Sequence, residues 1–193
     1  MSIEVFDETY PQEYLEGLRE FYLGSNPEWK YLKDCAFGDE VEERGGDVKI
    51  PSFSSVPMGE GKVRDEKSLK GWSLGIYLNQ ELFGLDPLNL FRLRIGLQLP
   101  LLNTSHVRHH NPHTDYPDPH MVVLLYLCDT DGDTFFFDDD GDIIKRVSPK
   151  LGRAVVFDGH HTHSSSSPSF GTRIAANFNY FIDRKEQLNL PSL

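Results

Sequence analysis

The chain's 193 residues and 22.1 kDa match one domain with room for a substantial core and exclude two full-sized ones. With 38% hydrophobic, 12% aromatic and 25% charged residues it can bury enough apolar surface to offset backbone ordering, which excludes wholesale disorder. A net charge of -11 from dispersed acids repels nucleic acid and anionic membranes, so neither is an expected partner.

Cys35 and Cys128 lie far apart without Cys-x-x-Cys spacing, so neither a disulfide framework nor a zinc knuckle is indicated. The opening "MSIEVFDETY" is acidic where a secretory signal is basic then apolar. No apolar run approaches the ~18 residues of a membrane span. The expectation is a cytoplasmic protein with reduced thiols.

In chain order, "TYPQEYLEGLREFYLG" predicts a helix, with Leu15, Leu18, Phe21 and Tyr22 at helical spacing, Thr9 as N-cap, Pro11 in the first turn and Gly24 as stop. Ser25 to Lys67 mixes Gly, Pro and charge and reads as loop, with a short strand around Val48 to Ile50. From Trp72 onward, "WSLGIYL", "LFRLRIGLQL", "MVVLLYLCD", "DTFFFDD", "DIIKRVS", "GRAVVFD" and "TRIAANFNYFI" read as at least seven strands rich in β-branched and aromatic residues. Asp131-Gly132 and Asp140-Gly141 fit tight hairpins. Helix first and an antiparallel run after it predict a mainly β sandwich or jelly roll. The expected organisation is a single domain, residues 1–68 forming an N-terminal helix and loops and residues 69–193 the jelly-roll core.

Two stretches carry the candidate chemistry, "HTDYPDPH" at 113–120 and "FDGHHTHSSSS" beginning at Phe157. In an extended segment the spacing of His113 and Asp115 sends both side chains to one face. A distant histidine would complete the two-His, one-carboxylate set of non-haem Fe(II) oxygenases, and His160, His161 and His163 are all candidates. Alone, the His-x-Asp pair is more often a surface loop, and the histidine cluster fits a solvated turn or an adventitious metal binder equally well. Ten positions after His163, "GTRIAANFNYF" alternates Arg173, Ala175, Asn177 and Asn179 on one face with Ile174, Ala176, Phe178 and Tyr180 on the other. A buried arginine there is costly unless it meets an anion.

Together, His113-x-Asp115, Tyr126 in "LYLCDTDGDTFFF" and "GRAVVFDGHHTHSSSSPSFGTRIAANFNYF" resemble the prolyl 4-hydroxylase-like branch of the Fe(II)- and 2-oxoglutarate-dependent oxygenases, in its small microbial or phage form. The resemblance spans roughly Phe91 to Asp183. It implies a double-stranded β-helix (jelly roll), with His113, Asp115 and His163 as catalytic iron ligands. It implies that Arg173 clamps the distal carboxylate of 2-oxoglutarate, that the Tyr126 hydroxyl shares that carboxylate, and that Asn179 is a polar contact near the metal. His163 is preferred over His160 and His161 by its interval to the arginine; those two are expected to line the mouth of the site. His106, His109, His110 and His120 are expected to be solvated loop residues.

The implied activity is hydroxylation of a C–H bond, with prolyl residues of a protein or peptide as one substrate class, using Fe(II), 2-oxoglutarate and O2 and releasing succinate and CO2. The resemblance also admits ascorbate. Substrate choice is expected in Ser25 to Lys67 and His106 to His120, because such determinants sit in loops on a common scaffold. Two alternatives are a cupin-like metalloenzyme without an oxo acid, against which Arg173 argues, and a non-catalytic jelly-roll binding module with decorative histidines. An EF-hand at Asp129, Asp131 and Asp133 fails, because Thr134 stands where glycine is needed and Asp140 where glutamate is usual.

Overall fold

A computed structural model describes residues 2–24, 27–36, 50–101 and 109–182. Strand β1 (Glu4–Phe6) precedes helix α1 (Gln12–Leu23), followed by β2 (Lys30–Leu32), β3 (Ser52–Gly59) and β4 (Lys62–Val63). Helices α2 (Glu66–Gly71) and α3 (Ser73–Phe83) lead through a 3-10 turn into β5 (Leu90–Gln98). Strands β6 (His120–Tyr126), β7 (Thr134–Phe137), β8 (Ile143–Val147), β9 (Ala154–Asp158), β10 (His163–Ser165) and β11 (Arg173–Phe181) complete the order. All pairings within these strands are antiparallel. The main sheet runs β1-β9-β6-β11-β5-β3-β2 with β4 on β3, and the smaller sheet β10-β7-β8 lies over it. This is the predicted mainly β, double-stranded β-helix class.

Helix α1 arises as predicted, burying Leu15, Leu18 and Tyr22, but its N-cap is Pro11 rather than Thr9. Leu15 N donates to Pro11 O at 3.1 Å, so the first helical bond starts at the proline and leaves Thr9 outside. "WSLGIYL" forms helix α3, not a strand. Trp72, Ile76, Asn79 and Phe83 share one helical face, while exposed Leu74, Tyr77 and Leu82 on the opposite side blur the 3.6-residue period. Gly84 ends α3 in the left-handed region at φ 68°, which glycine adopts without a Cβ penalty. No helix among the described residues is long and apolar enough to cross a membrane.

Ser25 to Lys67 is less loop-like than expected, because β3 pairs with β5 inside the main sheet. Val48 and Lys49 lie outside the described residues, and Ile50 precedes β3. Asp140-Gly141 makes the predicted β7–β8 turn, with Gly141 at φ 86°. Asp131-Gly132 does not make a hairpin, since β6 and β7 belong to different sheets. Glycine is needed there for a close approach: a Cβ on Gly132 would stand 2.9 Å from both Arg173 Cδ and Ser166 O.

The main sheet has two differently used faces. Leu93, Ile95, Val123, Leu125, Ile174, Ala176 and Phe178 pack outward against Leu15, Leu18, Tyr22 and Trp72 of the helical side. Asn79 of α3 accepts from Tyr10 Oη and donates to Tyr180 Oη at 2.9 Å, tying the helix to β11. Facing the smaller sheet, Val122, Leu124, Val155, Phe157 and Ala175 meet Phe136 and Val147. The polar residues of β5 and β11 continue that inner face, and there the candidate site lies.

Candidate active site

His113 and His163 are brought together by the backbone, each donating its N–H to the other's carbonyl at 2.9 Å. Their ring centroids are 4.9 Å apart. Asp115 follows one bend later, and the ligand atoms of His113, Asp115 and His163 all lie within 4.8 Å of one another. His113 Nδ1 is 3.1 Å from Asn111 O and His163 Nδ1 is 2.9 Å from His161 O. A carbonyl can only accept, so both Nδ1 atoms carry a proton and Nε2 is the ring atom that each histidine has to offer a metal. His163 Nε2 is 3.9 Å from Asp115 Oδ2.

The carboxylate is oriented by the sheet. Asn177 and Asn179 of β11 donate to Asp115 Oδ2 at 2.7 and 3.2 Å. Arg92 NH1 is 3.6 Å from Asp115 Oδ1 and donates to its carbonyl at 3.3 Å. Burial would raise the Asp115 pKa, but Arg92, the two histidines and Asn177 outweigh it and hold the group ionised, below the usual carboxylate range. Burial and the neighbouring His163 push His113 down to about 4 against the pull of Asp115, so its imidazole is neutral near pH 7. Two imidazole Nε2 atoms and one carboxylate on one side of a cavity are a donor set that suits Fe(II) and leaves other coordination positions open.

The cavity measures about 90 Å³ and also exposes Arg94, Gln98, Thr134, Ser164, Ser165, Arg173 and Asn177. Arg173, 6% exposed, donates from Nε to Gly132 O at 2.7 Å and from NH2 to Thr134 Oγ1 at 3.0 Å. Its guanidinium lies 5.5 Å from the centre of the Tyr126 ring, and among the described residues no ion pair includes it. Tyr126 is fully buried behind it and donates to Thr134 Oγ1 at 2.6 Å, so Thr134, not Tyr126, stands at the cavity wall. Asn179 reaches Asp115 without lining the cavity.

Among the other histidines, His160 is largely exposed and pairs with Asp158 at 3.1 Å, while His161 is half-buried. His106 lies outside the described residues and His109 is half-buried against Phe137. His110 and His120 are not solvated as expected. His110 is 2% exposed, with Ser167 Oγ at 3.0 Å, Ser165 Oγ at 3.1 Å and Cys35 Sγ at 3.0 Å. Burial, with Arg173 nearby, lowers its pKa to about 3. His120 opens β6 beneath Phe91 and Tyr116, where the rings exclude water.

Sequence reasoning missed Arg92, Arg94 and Gln98 of β5, and passed over Asn177 as an Asp115 partner. The signal was present: "RLRIGLQ" alternates polar and apolar like β11, and the register sets Arg92 opposite Asn179, Arg94 opposite Asn177 and Gln98 opposite Arg173.

Residues 100–181 match the sequence model of the 2OG-Fe(II) oxygenase superfamily, which supports an enzyme of the class that uses Fe(II), 2-oxoglutarate and O2. No curated protein matches the chain. Among solved structures, a Pseudomonas putida prolyl-4-hydroxylase is similar at 16% identity and TM-score 0.55, over 93% of this chain and 92% of that one. A Trichoplax adhaerens prolyl hydroxylase, solved with a peptide fragment of the hypoxia inducible factor oxygen degradation domain, is similar at 15% identity and TM-score 0.59, over 99% and 87%. The viral collagen prolyl hydroxylase of Paramecium Bursaria Chlorella virus-1, in its 2OG complex, gives 13% identity and TM-score 0.55, over 94% and 97%. These likenesses are of fold.

Proposed function

We propose that His113, Asp115 and His163 hold Fe(II), that Arg173 with Thr134 clamps the distal carboxylate of 2-oxoglutarate, and that the protein hydroxylates a C–H bond of a peptide, protein or small molecule, a prolyl residue among the candidates. The observation that carries the reading is one cavity uniting a His-Asp-His set within 4.8 Å with a buried arginine that has no carboxylate partner among the described residues. Peptide substrates are supported by the Trichoplax neighbour, which was solved with one.

Fe(II) with 2-oxoglutarate and O2 supplies the oxidising equivalents for the hydroxylation, the cosubstrate leaving as succinate and carbon dioxide. The chain supplies geometry and charge. Asn177, Asn179 and Arg92 fix the Asp115 carboxylate, and the two backbone carbonyls fix the imidazole tautomers. Gly132 O and Thr134 hold the Arg173 guanidinium, whose charge and planar fork suit a carboxylate. Thr134 Oγ1 accepts from both Tyr126 Oη and Arg173 NH2, which uses its two lone pairs. Its own hydroxyl hydrogen is thus left to donate into the cavity. Tyr126 thereby acts as a positioning residue behind the clamp, a change from the direct contact expected from sequence. Leu124 and Phe157 wall the metal side with apolar surface that keeps bulk water off the reacting atoms.

The test is an anaerobic titration with Fe(II) and then 2-oxoglutarate, read by visible absorption, for wild type, His113→Ala, Arg173→Ala and Tyr126→Phe. A weak charge-transfer band that needs both additions, disappears in His113→Ala and needs far more 2-oxoglutarate in Arg173→Ala is the expected result. In Tyr126→Phe the band persists with a smaller rise in the 2-oxoglutarate requirement, matching loss of one neutral hydrogen bond of about 1 kcal/mol. Iron binding without a band in wild type would overturn the cosubstrate assignment.

A further inference from the structure

The structure assigns to Arg94 a second anion site in the same cavity: we infer that the substrate presents a carboxylate to the Arg94 guanidinium while its reacting carbon lies at the metal. This rests on the iron and 2-oxoglutarate reading above and names the class of substrate that reading leaves open.

Arg94 sits on β5 directly opposite Asn177, whose amide holds Asp115, so it belongs to the metal end of the cavity. Arg173 pairs with Gln98, four residues further along the same ladder. At about 3.3 Å per residue, the two guanidiniums originate about 13 Å apart along the strands. One molecule spanning metal and Arg173 therefore leaves Arg94 uncovered at the metal end of the cavity.

Arg94 is held in place by neutral acceptors, with Nε donating to Ser54 Oγ at 3.1 Å and NH2 to Cys35 O at 3.2 Å. NH1 has no protein acceptor among the described residues, and no carboxylate pairs with the group there. Burial and neighbouring Arg92 lower its pKa only to about 10, so the charge persists at neutral pH. A half-buried guanidinium that keeps its charge and faces a cavity favours an anion there.

The charge balance points the same way. Two arginines and one carboxylate, Asp115, line the cavity of a protein whose net charge is -11. The distal carboxylate of 2-oxoglutarate meets Arg173 and Asp115 is engaged by Arg92, so among the described residues Arg94 is the guanidinium left without an anion. A single negative charge completes the set, which fits a carboxylate. A phosphate dianion would require another cation, but Arg92 is already engaged by Asp115. The carboxylate can belong to a free acid or to a peptide C-terminus.

The experiment uses protein loaded anaerobically with Fe(II) and 2-oxoglutarate and follows the charge-transfer band as four probe sets are added. These are the free L-amino acids, their C-terminal amides, and short proline-containing peptides with free or amidated C-termini. The expected result is a band shift with carboxylate probes and none with the matching amides, and loss of apparent affinity by roughly tenfold or more in Arg94→Gln with partial recovery in Arg94→Lys. A shift by amino acids identifies a free acid, and a shift by peptides alone identifies a chain end. The inference is overturned if amides shift the band as well as acids do, if no carboxylate probe shifts a band that forms normally, or if Arg94→Gln raises the 2-oxoglutarate requirement, which would place Arg94 on the cosubstrate. Absence of the band itself would instead sink the iron and 2-oxoglutarate reading.

Discussion

The outward residues of β11, Ile174, Ala176, Phe178 and Tyr180, and its inward residues, Arg173, Ala175, Asn177 and Asn179, share one backbone and are nearly equally hidden from solvent. Outward, packing is complete: the Phe178 ring meets Trp72 edge-on at 5.3 Å, and Tyr180 Oη accepts from Asn79. Inward, satisfaction is left partial. Asn177 Oδ1, Asn179 Oδ1, Gln98 Oε1, Ser52 Oγ and Ser164 Oγ are buried without a protein partner among the described residues. Such groups each forgo a hydrogen bond, a cost natural folds rarely carry without use. Stability is thus built on one side of the sheet and chemistry on the other, and substitutions should sort by the face they alter.

The largest effect is expected outward. Phe178→Ala should lower stability by about 3–5 kcal/mol in urea unfolding, since it removes a fully buried ring from the main core. Iron binding by whatever fraction stays folded should persist; selective loss of iron binding in a fully stable variant would break the division between the faces.

Acidification should act next, and inward. His113 and His110 have folded-state values of about 4 and about 3, below the 6.5 of an unfolded imidazole. Above 6.5 both states are neutral and the groups contribute nothing to the pH dependence. Between about 6.5 and 4 the unfolded chain binds more protons, so metal-free protein should lose stability as pH falls, on the order of a few kcal/mol in total. Chemical unfolding at pH 7.5 and 5 checks this, and equal stabilities would contradict the buried neutral imidazoles.

A smaller change sharpens the contrast within the inner face. Asn179→Ala should leave unfolding nearly unchanged and weaken Fe(II) binding by roughly 10–100-fold, because it loosens the carboxylate rather than removing a ligand. Competition against a chelator measures it; unaltered affinity would make Asn179 structural only. Smallest of all, His160→Ala alters an exposed ring paired with Asp158, and should move stability by less than about 0.5 kcal/mol and iron affinity not at all.

These two faces also explain what the sequence made legible. Alternation along "TRIAANFNYF" and the His-x-Asp pair exposed β11 and the candidate ligands because strand geometry converts spacing directly into facing. The same rule applied to "RLRIGLQ" would have exposed Arg92 and Arg94. Helix α3 was misread because Leu74, Tyr77 and Leu82 are apolar on its solvent side, and local periodicity cannot show which side is covered. Burial of His110 and His120, and the placement of Thr134 in front of Tyr126, depend on how the two sheets close over one another. Pairings between distant segments such as β3 with β5 leave no local trace.

The most direct measurement is anomalous diffraction from crystals grown anaerobically with Fe(II) and 2-oxoglutarate. The account predicts one iron peak bonded to His113 Nε2, His163 Nε2 and an Asp115 carboxylate oxygen, with the far carboxylate of 2-oxoglutarate on Arg173 and Thr134. An iron held instead by His160 or His161, or a cosubstrate carboxylate seated on Arg94, would contradict it.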